Sequence, residues 1–184
     1  MTSGGENIDI LIEGCKNDDR RAQELLYRKF YRALMSLCLL YTKNETDALE
    51  VLNTGFYKVF KSIGKYNAAR SSFYTWSRTI IMNSCLDFIK AHAGKVVTGE
   101  LDAAVNVDIA PGIISKISAD EILQLVRQLS PATRVVFNLY VMEGYSHSEI
   151  ASRLAISEGT SKWHLSEARK KLQTMINEQR RINE

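Results

Sequence analysis

Proline is scarce in this sequence, and long hydrophobic runs are absent. Only 2 of the 184 residues are proline, and β-branched residues rarely alternate with polar ones, so helical spacing dominates over strand spacing. No apolar run reaches the ~18 residues that a membrane span requires. The N-terminal stretch MTSGGENIDI has neither the basic nor the apolar region of a signal peptide. The sequence therefore predicts an all-α protein that stays in the cytoplasm.

Cysteine is scarce as well. The 3 cysteines, Cys15, Cys38 and Cys85, are odd in number and far apart, and none forms a C-x-x-C pair. This spacing argues against a disulfide framework and against a zinc site. We expect all three to be small apolar core residues; a redox sensor is the alternative.

Clusters of the catalytic or metal-binding type are missing. His92, His147 and His164 are scattered, without H-x-x-x-H spacing, and no glycine-rich loop could cradle a phosphate. The sequence therefore predicts no enzyme activity, no catalytic residue, no metal and no cofactor.

Charge is nearly balanced, with a net charge of +3, but it is unevenly distributed. Residues 58–97 contain seven basic side chains and one acid, residues 98–121 contain five acids and one base, and residues 122–184 contain nine bases and six acids. Two basic segments separated by an acidic one could each contact a polyanion. The alternative is that each run is a solvated helix face.

Helical periodicity fills the first half of the chain. It predicts a helix from Ile8 to about Gly14, and a second helix that is capped by Asn17 and extends to Tyr41. The expected core face of the second helix comprises Ala22, Leu25, Leu26, Phe30, Leu34 and Leu37.

Two further helices follow in the same half. Asn44 is the expected N-cap of a helix that reaches Ile63. Its inward residues are expected to be Ala48, Val51, Leu52, Phe56 and Val59. The stretch GKYNAARSS interrupts the pattern, and a fourth helix is expected from Phe73 to about Ala91.

Periodicity then stops. The stretch AGKVVTGELDAAVNVDIAPGII holds three glycines and a proline, and a connection of this length is unusual inside a compact domain. We therefore predict two small helical domains, residues 1–93 and 116–184, joined by an acidic flexible linker over residues 94–115.

Four helices are expected after the linker. Ser118 and Glu121 form an S-x-x-E capping box, and the pair Ser130–Pro131 restarts a helix that Gly144 ends. A second capping box, Ser146 with Glu149, begins a short helix.

The last two helices have the spacing of a helix-turn-helix. The turn is Ala155-Ile156-Ser157, and Ser157 caps a helix that reaches about Ile176. The expected packing set is Ile150, Ala151, Leu154, Ile156 and Leu165. In such a motif the second helix enters the DNA major groove. Ala155 stands where glycine is usual, and Ser161 stands where an apolar residue is usual.

These motifs together resemble a known family. LSPATRVVFNLYVMEGYSHSEIASRLAISEGTSKWHLSEARKKL resembles region 4 of the sigma-70 family, in particular its short extracytoplasmic-function (ECF) sigma factors. DALEVLNTGFYKVFKSI resembles region 2.2, and FYTWSRTIIMNSCLDFIKAH resembles regions 2.3 and 2.4. The two halves occur in the family's order and cover nearly the whole chain, and region 3, which the short class lacks, is missing.

The resemblance implies a function in transcription initiation. The chain would bind core RNA polymerase through the β′ clamp helices and the β flap, recognise −35 and −10 promoter elements, and promote DNA melting. A membrane or soluble anti-sigma factor would hold it inactive by covering surfaces of both domains. The chain itself would not insert into a membrane. The acidic linker would run toward the active-centre cleft of the polymerase; a plain tether is the alternative.

The resemblance also implies the −35 contacts, on the helix-turn-helix. They are Ser157, Gly159, Thr160, Lys162, Trp163, Ser166, Glu167, Arg169 and Lys170. Glu167 stands where a relative has a basic residue, and an acid there would repel phosphate or accept a hydrogen bond from a cytosine amino group. Trp163 has partial core burial as its alternative.

For the −10 element, the resemblance points to the interrupted stretch and the helix after it. The implied contacts are Asn67, Arg70, Ser71, Ser72, Trp76, Arg78, Asn83 and Lys90. Aromatic rings can stack on unpaired bases, and a flipped base can be read along its hydrogen-bonding edge. Phe73 and Trp76 are equally candidates for the core.

Region 2.2 supplies the implied polymerase contacts. They are Asp47, Glu50, Val51, Asn53 and Phe56. Leu49, Asn53 and Thr54 stand where acids or glutamine are common in the family, which predicts a more apolar contact.

Two other classes of binding protein remain open. A helix-turn-helix repressor or response regulator would bind an operator without polymerase, but the first half lacks the strand-helix alternation of a receiver domain. A helical adapter would bind another regulator and would not contact DNA in a salt-dependent manner.

Overall fold

The computed structural model describes residues 7–92 and 119–182, in which helices are joined by short turns and loops and no strand occurs. They belong to two compact units, divided between Phe88 and Ile89. The expected linker at 94–115 and the capping residue Ser118 lie outside the described residues.

Four helices lie within the described residues 7–92. α1 is Ile8–Lys16, α2 is Arg20–Tyr41, α3 is Glu45–Ser62 and α4 is Phe73–His92. A single 3₁₀ turn, Ile63–Lys65, follows α3.

The described part of the second unit also has four helices. α5 is Ala119–Gln128, α6 is Pro131–Phe137, α7 is His147–Leu154 and α8 is Glu158–Ile182. Residues Asn138–Met142 continue α6 as a π-helical turn. Among the described helices, none combines the length and the apolar character needed to cross a membrane.

The start of α2 differs from the sequence prediction. Asn17 is the C-cap of α1, and its N–H bonds back to the carbonyls of Glu13 and Gly14. Asp18 has a left-handed backbone, with φ of 58°. Asp19 is the N-cap of α2, because its carboxylate accepts from the N–H of Arg21 at 2.8 Å. The prediction that Asn17 caps α2 is wrong: three polar residues in a row could each cap, and the extension of α1 to Lys16 decided between them.

The predicted core of the first unit is confirmed for α3, where all five expected residues are buried. In α2, Leu26, Leu34 and Leu37 are buried, while Leu25 and Phe30 are only half-buried. Asn44 caps α3 as predicted, accepting from the N–H of Asp47 at 2.8 Å.

All three cysteines are buried free thiols, as the sequence predicts. Burial, together with the negative charge of Asp19, raises the pKa of Cys15 to about 11. Its thiol therefore stays protonated and weakly nucleophilic near neutral pH.

Close contact between α3 and α4 depends on one glycine. A Cβ placed on Gly55 would lie 2.7 Å from Cγ1 and 3.2 Å from Cα of Ile81. Both distances are shorter than the ~3.5–4.0 Å of normal carbon contacts. A glycine in the middle of α3 therefore allows the two helices to approach.

Candidate functional sites

The helix-turn-helix of the second unit is fixed by paired caps. Ser146 and Glu149 form the predicted capping box: the N–H of Ser146 donates to the Glu149 carboxylate at 2.8 Å, and the N–H of Glu149 donates to the Ser146 hydroxyl at 3.3 Å. These hydrogen bonds hold the pKa of Glu149 below its ordinary value. At the other end of α7, Ala155 has a left-handed backbone with φ of 57°.

Ser157 caps α8 as predicted. Its hydroxyl accepts from the N–H of Thr160 at 2.9 Å and lies 2.9 Å from the Thr160 hydroxyl. Both side chains, predicted to contact DNA, are thus already engaged with each other at the start of α8. The helix extends beyond its predicted end near Ile176 and reaches Ile182.

Two polar pairs hold α8 against its neighbours. Nδ1 of His147 lies 2.9 Å from the hydroxyl of the fully buried Ser161. Nδ1 of His164 lies 3.1 Å from the hydroxyl of the buried Thr133. A buried polar group is stable only when it is hydrogen-bonded. The hydrogen-bonded histidine therefore explains why a serine can occupy position 161, where an apolar residue is usual.

Burial governs the titration of both histidines. Desolvation lowers the pKa of His164, with a smaller opposing contribution from Glu167. Desolvation also lowers the pKa of His147, and the positive charge of Lys162 adds to the effect. Both rings are therefore neutral near pH 7.

The outer face of α8 carries a compact subset of the predicted −35 residues. At ~100° per residue, Gly159, Trp163, Ser166 and Lys170 lie within about 60° of one another. Gly159 and Lys170 are exposed, and Trp163 and Ser166 are half-buried. The buried residues of the helix, such as Leu165 and Ala168, lie on the other side.

The charged residues among the remaining predicted −35 contacts differ in exposure and in ion pairing. Lys162 is exposed, and Arg169 is half-buried. The Glu167 side chain is 27% exposed, and its carboxylate forms an ion pair of 3.2 Å with Lys171, one turn further along. The acid in this unusual position therefore has its charge partly balanced within α8.

In the first unit, one face of α4 carries three of the predicted −10 residues. Trp76, Asn83 and Lys90 recur every seven residues and therefore lie within about 40° of one another. Asn83 and Lys90 are exposed, and Trp76 is half-buried. Arg78 is also half-buried.

The loop before α4 is structured by its own hydrogen bonds. Oδ1 of Asn67 accepts from the N–H of Ala69 at 2.9 Å, and the carbonyl of Ser71 accepts from the Tyr66 hydroxyl at 3.1 Å. The hydroxyl of Ser72 accepts from the N–H of Thr75 at 3.1 Å and thereby caps α4. Arg70 is exposed. This cap on α4 was not predicted, although serine is a preferred N-cap residue.

An aromatic cluster supports the loop. The Tyr66 ring centroid lies 5.5 Å from that of Phe73 and 5.3 Å from that of Trp76. Phe73 is only 2% exposed, whereas Tyr74 is 37% exposed and stacks on Phe30. Phe73 is therefore a core residue, and Trp76 and Tyr74 keep ring surface at the exterior.

The predicted polymerase-binding residues divide between the core and the surface of α3. Val51 and Phe56 are each 2% exposed and lie in the core of their own unit. Glu50 and Asn53 are exposed. The Asp47 carboxylate accepts from the Asn44 side chain at 3.1 Å. The buried pair thus supports the helix from within and presents little surface to a partner.

Two large residues on the same helix are exposed: Leu49, which the sequence already assigned to a more apolar contact, and Tyr57, which sequence reasoning missed. Leu49 is 40% exposed and Tyr57 is 65% exposed, and each lies one turn from Asn53. We call Leu49, Asn53 and Tyr57 the α3 stripe. The signal was present in the sequence: large apolar residues outside the inward set of an amphipathic helix mark a surface with a further role.

One ion pair joins α3 to α4. Nζ of Lys58 lies 2.9 Å from the Asp87 carboxylate, and both side chains are substantially exposed. An exposed pair of this kind adds little stability. Within the described ranges, no group of three or more histidine, cysteine or acidic side chains could hold a metal ion.

Two family models match the chain. Residues 26–94 match the model described as Sigma-70 region 2, and residues 119–172 match the model described as Sigma-70, region 4. The first match contains α3, the loop and α4, and the second contains the helix-turn-helix. The two matches together span about two thirds of the chain.

Named relatives extend over nearly the full length. The chain is 24% identical to a protein of Pseudomonas aeruginosa named RNA polymerase sigma-H factor, over 94% of this chain and 97% of that one. It is also 24% identical to a protein of Escherichia coli strain K12 named ECF RNA polymerase sigma-E factor, over 91% and 93%.

Two solved structures are also similar to the chain. The structure of CnrH in complex with the cytosolic domain of CnrY matches with a TM-score of 0.47 and 19% identity, covering 93% of this chain and 98% of that one. The sigma factor RpoE of Bartonella quintana, solved with the anti-sigma factor NepR, matches with a TM-score of 0.48 and 18% identity, covering 84% and 96%.

Proposed function

The chain belongs to the sigma-70 family, in its extracytoplasmic-function group, and from this premise we propose that it directs RNA polymerase to promoters. It is a sigma factor of the short, two-domain class, which acts by binding and performs no catalysis of its own. The observation that carries the proposal is the presence of region 2 and region 4 in one chain, in the order in which the family has them. Each motif alone would leave the repressor reading open.

The second unit recognises the −35 element in this proposal. The outer face of α8 enters the major groove, with Trp163 and Ser166 toward the bases and Lys170 toward phosphate. Lys162 and Arg169 add phosphate contacts. Glu167 accepts from a cytosine amino group, and its ion pair with Lys171 reduces the repulsion from neighbouring phosphates.

The first unit captures the −10 element and promotes melting. The α4 face of Trp76, Asn83 and Lys90 offers a ring, an amide and a cation in a row, which suits an unpaired strand. The ordered loop before α4 adds the exposed Arg70. Binding of unpaired bases there would shift the promoter toward the open form by mass action, because the duplex cannot make these contacts.

Docking on core polymerase uses the exposed face of α3. The α3 stripe offers apolar surface around a single amide, and Glu50 adds a charge nearby. This composition fits the more apolar contact that the sequence predicts for region 2.2. The β′ clamp helices are the partner of this face, and the β flap is the partner of the second unit.

Two features follow from family membership alone. An anti-sigma factor is the further partner that we propose, covering surfaces of both units. The cytoplasm is the proposed location, because core polymerase and promoter DNA are there. The domains that we propose are residues 1–93 and 116–184, with residues 94–115 as the linker between them.

Run-off transcription with purified core polymerase tests the proposal. Start sites that depend on this protein are the expected result, and aligning them yields the two promoter elements. A matched pair of variants localises the docking surface: Tyr57→Ala removes a 65% exposed ring from the α3 stripe, and Ile10→Ala removes a 69% exposed side chain from α1. Transcription should fall with Y57A and persist with I10A. An absence of new start sites, together with no association with core polymerase, would refute the assignment.

A further inference from the structure

The hydroxyl of Tyr27 reaches from α2 to the exposed face of α3. It donates a hydrogen bond of 2.8 Å to Oδ1 of Asn53. Asn53 is the middle residue of the α3 stripe, with Leu49 one turn before it and Tyr57 one turn after it. The hydrogen bond therefore ends inside the surface that we assign to polymerase docking.

The ring of Tyr27 is held by its neighbours. Its centroid lies 4.6 Å from that of the buried Phe56 and 5.6 Å from that of Tyr31. Desolvation raises the pKa of Tyr27 above its ordinary value, with smaller contributions from Tyr31 and Cys38. The hydroxyl therefore keeps its proton over the physiological range and remains a donor.

This hydrogen bond fixes the orientation of the Asn53 amide. An asparagine amide has one accepting oxygen and an NH₂ group with two donors. With Oδ1 engaged by Tyr27, the NH₂ group faces away from the tyrosine. A freely rotating exposed side chain would have to be ordered on binding, which reduces affinity; Asn53 is already ordered before the partner arrives.

We propose that Tyr27 is a positioning residue for the docking of this chain on core RNA polymerase, holding the Asn53 amide with its N–H donors directed outward. The inference rests on the proposed function and adds a residue to that docking surface. The polymerase group that it fits is a hydrogen-bond acceptor, a carboxylate or a carbonyl, flanked by apolar surface that meets Leu49 and Tyr57.

The test compares four full-length variants in a binding titration with core polymerase. Tyr27→Phe removes the hydroxyl and keeps the packed ring, and Asn53→Ala removes the amide. We expect Y27F to weaken binding about threefold to tenfold, the range set by ordering one side chain, and N53A to weaken it at least as much. The double variant should bind like N53A, because Tyr27 acts only through Asn53. Tyr31→Phe, which loses a hydroxyl from the neighbouring ring on α2, is the matched control and should bind like the wild type.

Two results of the titration would overturn the inference. One is an unchanged affinity of Y27F, and the other is a double variant whose loss of binding free energy equals the sum of the two single losses. A second measurement, free of polymerase, follows the side-chain NH₂ signals of Asn53 by NMR relaxation. They should report a rigid amide in the wild type and in Y31F, and a mobile one in Y27F; equal order in all three proteins also overturns it. Failure of the wild type to bind core polymerase would instead refute the proposed function, whatever the order of the amide.

Discussion

Gly55→Ala tests the close approach of α3 and α4, the helices that carry the proposed docking and −10 surfaces. On helix propensity alone this change should stabilise the protein by about 1 kcal/mol, since glycine in a helix interior is that much worse than alanine. The structure predicts the opposite sign. The new Cβ would lie 2.7 Å from Cγ1 and 3.2 Å from the backbone Cα of Ile81, and a backbone atom cannot rotate away.

The magnitude follows from two opposing contributions. Relieving the contact requires α3 and α4 to separate, and overpacking of this kind costs about 1–3 kcal/mol. Subtracting the propensity gain leaves a net destabilisation of about 1 kcal/mol. For a unit of this size, the melting temperature should fall by about 4–8 °C.

Urea unfolding followed by tryptophan fluorescence measures the effect. Trp163 is replaced by phenylalanine in all samples, so that Trp76 on α4 reports only the first unit. Gly64→Ala is the matched control, because a Cβ there meets nothing within 4 Å; it should be neutral or stabilise by up to about 1 kcal/mol. If G55A stabilised the first unit as much as G64A or more, the packing argument would be refuted.

Three further predictions concern the second unit. Ala155→Gly should raise the stability of this unit by about 0.5–1 kcal/mol, because φ is 57° at this residue and alanine is strained in that region. Ala151→Gly, in the right-handed interior of α7, should lower the stability by a similar amount. Thermal unfolding that shifts the melting temperature of both variants in the same direction would contradict the reasoning. The folded pKa values of His147 and His164 lie below the ordinary value, so at mildly acidic pH the folded state binds fewer protons than the unfolded state. The contribution of these histidines to stability should therefore be constant above about pH 6.5 and should decline as the pH falls below it. His164→Asn should flatten this decline in urea midpoints measured from pH 5 to 8, and an unchanged slope would exclude His164 as a source. Lys170→Ala should reduce the magnitude of the slope of log affinity against log salt concentration by about 1 for duplex DNA that carries the −35 element. Lys16→Ala on α1 is the control and should leave this slope unchanged. Equal slopes for the wild type and K170A would show that Lys170 does not contact phosphate.

Helix caps show how far sequence reasoning can succeed. The box at Ser146 and Glu149, the cap at Asn44 and the cap at Ser157 were predictable because each depends on residues within three positions of one another. The cap of α2 was not, because Asn17, Asp18 and Asp19 are chemically similar candidates. The choice of Asp19 depends on where α1 ends, and that is settled by packing against α2.

The candidate sites show the same division. The helical pattern and the resemblance identified the residues of α8 and α4, but not which side chains are already engaged. The ion pair of Glu167 with Lys171, the burial of Val51 and Phe56, and the exposure of Leu49 and Tyr57 all depend on how neighbouring residues and helices are arranged in space. The spacing of residues along the chain limits which of these contacts are possible, but it does not determine which of them form.

The sequence by itself determined the all-α class, most helix boundaries, the helix-turn-helix and the family, since these depend on local periodicity and short motifs. Only the tertiary structure joined Tyr27 to Asn53, Ser161 to His147 and Gly55 to Ile81. These pairs lie 14 to 26 positions apart, each between two different helices, and nothing local in the chain encodes which side chains meet. Helix packing brings them together, because burying the apolar faces fixes the rotation and separation of each helix and therefore which polar groups at their edges come within hydrogen-bonding distance.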